Sequence, residues 1–85
     1  MDIKDNIAIS SNGFIFDSGT GESYSVNPPG ADIIGWIKEL KDEQAVKQKM
    51  IEKYDADELI IERDLNDFLS VLKKFGFIVN DDTEN

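Results

Sequence analysis

The sequence predicts an α+β fold, winged-helix-like in its order: a three-stranded antiparallel sheet followed by three α-helices. Three observations predict it. Residues 7–26 hold short apolar or alternating runs separated by Asn- and Gly-bearing turns, the pattern of a β-meander. From Ile33 onward apolar residues recur at three- and four-residue spacings, the period of amphipathic helices. Between the two lies Asn27-Pro28-Pro29-Gly30, a stiff corner. Asn27 suits a helix N-cap, and Pro28 fits the first turn, where a missing N–H costs nothing.

Each element has its own local reason. Met1 to Asn6 is polar and is expected to be irregular. Ile7 and Ile9 alternate with Ala8 and Ser10 as a first strand, and Ser11-Asn12-Gly13 supplies turn residues that tolerate positive φ. Phe14-Ile15-Phe16 forms a second strand, with the two phenylalanines on one face and Ile15 on the other. Asp17 to Gly21 is a second turn, and residues 22–26 make the third strand, in which Ser23, Tyr24, Ser25 and Val26 alternate polar and apolar.

The first helix is expected from Pro28 to Lys41, with Ile33, Trp36, Ile37 and Leu40 inward. Asp42 caps a second helix carrying Val46, Met50, Ile51 and Tyr54. Asp57 caps the third and longest helix, whose core stripe reads Ile61, Leu65, Phe68, Leu72 and Phe75. Lys73 and Lys74 in its last turn favour the helix dipole, and Gly76 follows as a C-terminal glycine. Phe77-Ile78-Val79 folds back or adds a short strand. The chain reads as a single domain over 1–85, ordered over about 7–79, with residues 80–85 an acidic, disordered tail.

Composition narrows the function. At 85 residues the chain has room for one small core but not for a deep catalytic cleft as well. It holds no cysteine and no histidine, which removes disulfides, thiolate metal sites and the commonest catalytic base. A net charge of −9 opposes nucleic-acid binding, which depends on neutralising phosphates. No apolar run is long enough to span a membrane, and the acidic N-terminus is unlike a signal peptide, so a cytoplasmic protein is expected.

Specific motifs fail when their chemistry is checked. Asp55-x-Asp57 opens like a calcium loop, but Ile60 stands where the turn glycine is required and Asn66 where the bidentate glutamate is. Gly19-Thr20-Gly21 has no lysine or helix start after it, so it is a hairpin turn rather than a phosphate cradle. Asp17-Ser18 lies between strands, not at the helix N-terminus where an acyl carrier holds its serine. No carboxylate is flanked by a second catalytic residue type. No catalytic residue, metal ligand or cofactor is expected.

Two features exceed what a core requires. Ile60 and Val71, with Asp64 and Asp67 among them, form a second shoulder on the third helix, roughly 80–100° from its core stripe. The third strand ends the meander and so offers an edge with free N–H and C=O groups. Together they form a groove suited to an extended peptide. The same residues also admit a plainer account, in which Ile60 and Val71 widen the core and a helix or the tail covers the edge.

The ordered series Phe16-Asp17, Gly21, Tyr24-x-Val26-Asn27, Gly30, then Ile34-x-Trp36-x-x-x-Leu40, resembles the PqqD family. The second half agrees, in Tyr54-Asp55, Asp64-Leu65-x-x-Phe68-Leu69-x-x-Leu72 and Gly76-Phe77-Ile78. The likeness runs over about residues 7–79. Pro28-Pro29 doubles the usual corner, and the link between the first two helices lacks the glycine often seen there.

The resemblance implies a recognition element for ribosomally made, post-translationally modified peptides. The leader of a precursor peptide is then expected to add as a strand beside the third strand, against the third helix. The complex would be presented to a modifying enzyme, often a radical S-adenosylmethionine (SAM) enzyme. By position, the peptide-binding residues implied are Ser23, Tyr24, Ser25, Val26, Ile60, Asp64, Asp67 and Val71. The alternative is a winged-helix transcription regulator or other small adaptor domain. Against DNA stand the acids of the third helix, which outnumber its bases; Lys47, Lys49 and Lys53 make only the second helix mildly basic.

Overall fold

A computed structural model describes residues 1–79; the tail expected at 80–85 lies outside the described residues. The element order is β1 (Asp2–Ile3), β2 (Ile7–Ile9), β3 (Phe14–Asp17), β4 (Glu22–Ser25), α1 (Pro28–Leu40), α2 (Glu43–Tyr54), α3 (Glu58–Lys74) and β5 (Ile78–Val79). Strands β2, β3 and β4 form an antiparallel sheet in that order, and β1 pairs with β5 in a second, two-stranded sheet. The α+β architecture is the expected one. The winged-helix description fits loosely, because the second sheet ties the two ends together.

Local chemistry accounts for the helix boundaries. The side chain of Asn27 accepts the amide of Gly30, and Asp42 accepts that of Ala45. Asp57 accepts the amide of Leu59. Each satisfies a donor that the first helical turn leaves unpaired. Lys41 and Asp55 end α1 and α2 in the left-handed conformation, at φ 55° and 50°, so α1 stops one residue before the expected Lys41. Strand β4 likewise ends at Ser25, one residue before the expected Val26.

One layer of side chains joins sheet and helices. Ile7 and Ile15 point inward from the sheet to meet Ile34 and Ile37 of α1, Val46 of α2, and Leu65 and Leu72 of α3. Phe14 and Phe16 stand exposed on the opposite sheet face, as the alternation requires. Asp17, expected in a turn, is the last residue of β3 and is buried. Its carboxylate accepts the side-chain amide of Asn6 at 2.7 Å and the backbone amide of Gly19 at 2.9 Å, and these bonds hold it below the usual carboxylate range.

Two expectations are corrected. Met1 to Asn6 is not all irregular: Asp2 pairs with Val79 and Ile3 with Ile78, and Ile3 is only 4% exposed. A two-residue strand carries no periodicity to read; burial of Ile3 against the returning chain is what orders it. Phe75 does not complete the core stripe of α3. It is 55% exposed, while Leu69, outside the expected stripe, is buried. A stripe repeating every 3.5 residues lags a 3.6-residue helix by about 20° per heptad. Two heptads from Ile61 therefore turn Phe75 out of the core and toward β4.

Among the described residues no helix is long and apolar enough to cross a membrane.

Candidate functional site

The site begins with the direction of backbone bonds in β4. Register pairs Phe14 with Ser25, Ile15 with Tyr24 and Phe16 with Ser23. The amide of Val26 donates to the carbonyl of Gly13 at 2.9 Å, continuing that register. In an antiparallel ladder, residues alternate between bonding the neighbour and facing away from it. Tyr24 and Val26 thus turn their backbone groups to β3, and Ser23 and Ser25 turn theirs outward. Among the described residues no strand pairs with that outer edge.

Side chains alternate in the other sense. Ser23 and Ser25 share the outer sheet face with Phe16 and Phe14, while Tyr24 and Ile15 face the helices. The ring of Tyr24 lies 5.6 Å from that of Phe75 and 5.4 Å from that of Phe77, and those two rings stack 5.7 Å apart. The Tyr24 hydroxyl donates to Glu22 at 2.5 Å, and that neighbouring carboxylate raises the phenol above its ordinary range.

Helix α3 supplies the facing wall. Ile60 and Val71 are 47% and 45% exposed, which sets them apart from buried Ile61, Leu65 and Leu72. Two apolar cavities lie along α3, one against the edge of β4 and the other against α1 and the end of α2. The lower, about 220 Å³, is bounded by Tyr24, Ser25, Val26, Phe68, Val71 and Phe75. The upper, about 400 Å³, is bounded by Gly30, Ile33, Ala56, Ile60, Asp64 and Phe68, among others. Phe68 borders both, so they are two compartments of one groove.

Of the eight residues expected at a peptide site, Tyr24, Ser25, Val26 and Val71 line the lower compartment, and Ile60 and Asp64 the upper. Ser23 contributes outward backbone rather than a cavity wall. Asp67, exposed on α3, lines neither compartment. Sequence reasoning missed Phe68 and Phe75 as groove residues because it assigned both to the core. Their place on the strand side of that stripe was the available signal. It also missed Gly30, Ile33, Met50, Tyr54 and Ala56 at the upper end, which only the packing of three helices brings together.

The basic residues of α2 are largely committed elsewhere. Lys47 pairs with Glu58 at 3.1 Å and Glu62 at 3.5 Å, and these carboxylates raise its own titration. Lys53 reaches Asp32 at 2.6 Å, where the Tyr54 hydroxyl also donates at 2.5 Å. Pairing with Lys53 first, and with Tyr54 second, holds Asp32 below the usual carboxylate range. Burial beside that carboxylate pushes Tyr54 up to about 12. Charges neutralised within the fold are not available to phosphates, which weakens the DNA-binding alternative. Among the described residues no group of three or more acidic, histidine or cysteine side chains is placed to hold a metal ion.

Fold and groove together define a class: a small α+β domain whose free sheet edge runs beside the apolar shoulder of its last helix. The chain belongs to the family of coenzyme PQQ synthesis protein D (PqqD), whose model matches residues 12–78. Two solved structures share the fold. One, described as TbiB1 in complex with the TbiA(beta) leader peptide, has 25% identity and a TM-score of 0.80, over 91% of this chain and 93% of that one. The other, lasso peptide synthetase B1 complexed with the leader peptide, has 21% identity and a TM-score of 0.78, over 92% and 95% of the two chains. No curated protein matches the chain.

Proposed function

We propose that this protein is a non-catalytic adaptor that captures the leader of a ribosomally made precursor peptide and presents it to a modifying enzyme in the cytoplasm. The observation that carries this reading is the outward edge of β4 beside the exposed apolar wall of α3. An extended peptide laid there finds the N–H and C=O groups of Ser23 and Ser25 for its backbone, and apolar compartments for alternate side chains. Tyr24, Val26, Ile60, Asp64 and Val71 line its path, and Asp67, on the same shoulder of α3, stands outside the compartments. The two similar structures, each described with a leader peptide, support the reading. A radical SAM enzyme is the modifying partner that the family relationship suggests.

The test is calorimetric titration with the leader of a precursor peptide encoded beside this chain. Micromolar or tighter binding with little dependence on salt is expected, because strand addition rests on backbone bonds and apolar burial rather than on charge. No heat and no chemical-shift change in β4 on adding that leader would remove the reading. The enzyme partner is tested separately, by whether the radical enzyme encoded nearby modifies the full precursor only when this protein is present.

A further inference from the structure

We infer that the outer face of the sheet is a second contact surface for the bound peptide: large apolar side chains on the residues turned away from the groove pack over Ser23 and Ser25 against the rings of Phe14 and Phe16. The inference rests on the strand-addition reading and deepens it, since it states the chemistry of peptide residues that the groove never touches.

Register fixes where those side chains go. Ser25 lies opposite Phe14 and Ser23 opposite Phe16, and directly opposed residues put their side chains on one face. A strand added to the outward backbone groups of Ser23 and Ser25 follows the same rule. Its residues beside Tyr24 and Val26 turn toward α3, and those beside Ser23 and Ser25 stand on the outer face. The other edge of the sheet, β2, is partly closed, because the amide of Ile7 donates to the carbonyl of Lys4 at 3.0 Å.

The chemistry of the face suits apolar partners. Phe14 is 59% exposed and Phe16 47%, and two such rings side by side on one strand make a patch rather than scattered exposure. Their neighbours across the sheet are short: Ala8 on one side, Ser23 and Ser25 on the other. Along β2, β3 and β4 no charged side chain shares this face, although the chain carries 18 acids and 9 bases. A peptide residue beside Ser23 or Ser25 stands two strand spacings, roughly 10 Å, from the backbone of Phe16 or Phe14. With only a serine between them, a long apolar side chain and a ring lean together over it, and both leave water. The peptide strand is the nearest occupant for the patch, because pairing with the β4 edge already sets alternate side chains beside it. A leader segment that satisfies both faces is apolar at consecutive positions, one set toward α3 and the other toward the phenylalanines.

The probe is the leader of the precursor encoded beside this chain, titrated calorimetrically into the native protein and into a double variant, Phe14→Thr with Phe16→Thr. Threonine suits an exposed strand position, so the circular dichroism spectrum should be unchanged. Binding should weaken tenfold or more. Serine at the leader residues that face outward should weaken binding to the native chain by a similar factor and add little on the double variant, the signature of a direct contact. On the native chain, intermolecular nuclear Overhauser effects should link the Phe14 and Phe16 rings to leader side chains; if the double variant unfolds, their presence or absence alone decides. Shifted Ser23 and Ser25 amides without those effects, or an unchanged affinity in a folded double variant, would leave strand addition standing and overturn this inference. A folded double variant that binds the leader normally but no longer supports modification would assign the face to the enzyme instead. No binding of the leader to the native chain would remove the strand-addition reading, and this inference with it.

Discussion

The carbonyl of Gly13 accepts the amide of Val26 at 2.9 Å, and a Cβ on Gly13 would lie 2.6 Å from the carbonyl oxygen of Val26. This contact holds the strand-to-helix corner against the first hairpin and sets which amides of β4 face outward. Gly13 also sits at φ +92°, which an L side chain rarely adopts.

Gly13→Ala is therefore expected to destabilise the fold by about 2–3 kcal/mol, combining backbone strain with a backbone clash. Urea denaturation followed by circular dichroism measures it. A loss under half a kilocalorie would mean that the hairpin relaxes freely and that this contact does not hold the corner.

Groove wall and core separate at Val71 and Leu65. Val71 is 45% exposed and Leu65 only 1%. Val71→Asp should cost about 1 kcal/mol or less in stability. Placing a carboxylate against an apolar peptide side chain should nonetheless weaken leader binding at least tenfold, about 1.4 kcal/mol. Leu65→Asp should unfold the domain. An unfolded Val71→Asp variant, or one that binds normally, would show that the shoulder is not the groove wall.

Proline substitutions test the direction of the edge. Ser25→Pro removes an amide that faces outward, so the fold should persist and peptide binding should be lost. Tyr24→Pro removes an amide bonded to β3 and should cost about 3 kcal/mol or more. Equal damage from the two would contradict the alternation inferred for β4.

The Asp32–Tyr54–Lys53 cluster predicts how stability changes with pH. Asp32 titrates below its usual value of 3.8, so its contribution is fully present above that value and is lost as pH falls through its depressed one. Tyr54 is raised from 10.0 to about 12, so the fold should also lose stability as pH climbs across that interval. Tyr54→Phe should flatten the alkaline loss and cost about 0.5–1.5 kcal/mol at neutral pH for the missing hydrogen bond. Phenolate absorbance followed during alkaline titration checks the tyrosine directly.

The short sheet joining the ends makes Ile3 a core residue. Ile3→Ala should cost about 2–5 kcal/mol, the range for emptying a buried isoleucine site. A thermal melt unchanged from the native chain would mean that β1 and β5 add nothing to stability.

Much of this molecule was legible before folding, wherever neighbouring residues sufficed. The caps at Asn27, Asp42 and Asp57, the turn glycines at 13 and 21, and the alternation through Phe14–Phe16 and Ser23–Val26 depend on chemistry within a few residues. So does the shoulder of Ile60 and Val71, which helical spacing alone separates from the core. The tertiary structure decided what spacing does not encode. Asp2–Ile3 became a strand only because Ile78–Val79 returned beside it from the far end of the chain. Phe75 left the core because a 3.5-residue stripe drifts around a 3.6-residue helix, an offset that matters only once β4 is there to receive the ring. The upper compartment joins Gly30, Met50, Ala56 and Ile60 from three helices and the loops between them. No local pattern marks such a cavity, because its walls are set by how the helices pack and not by what any one of them prefers.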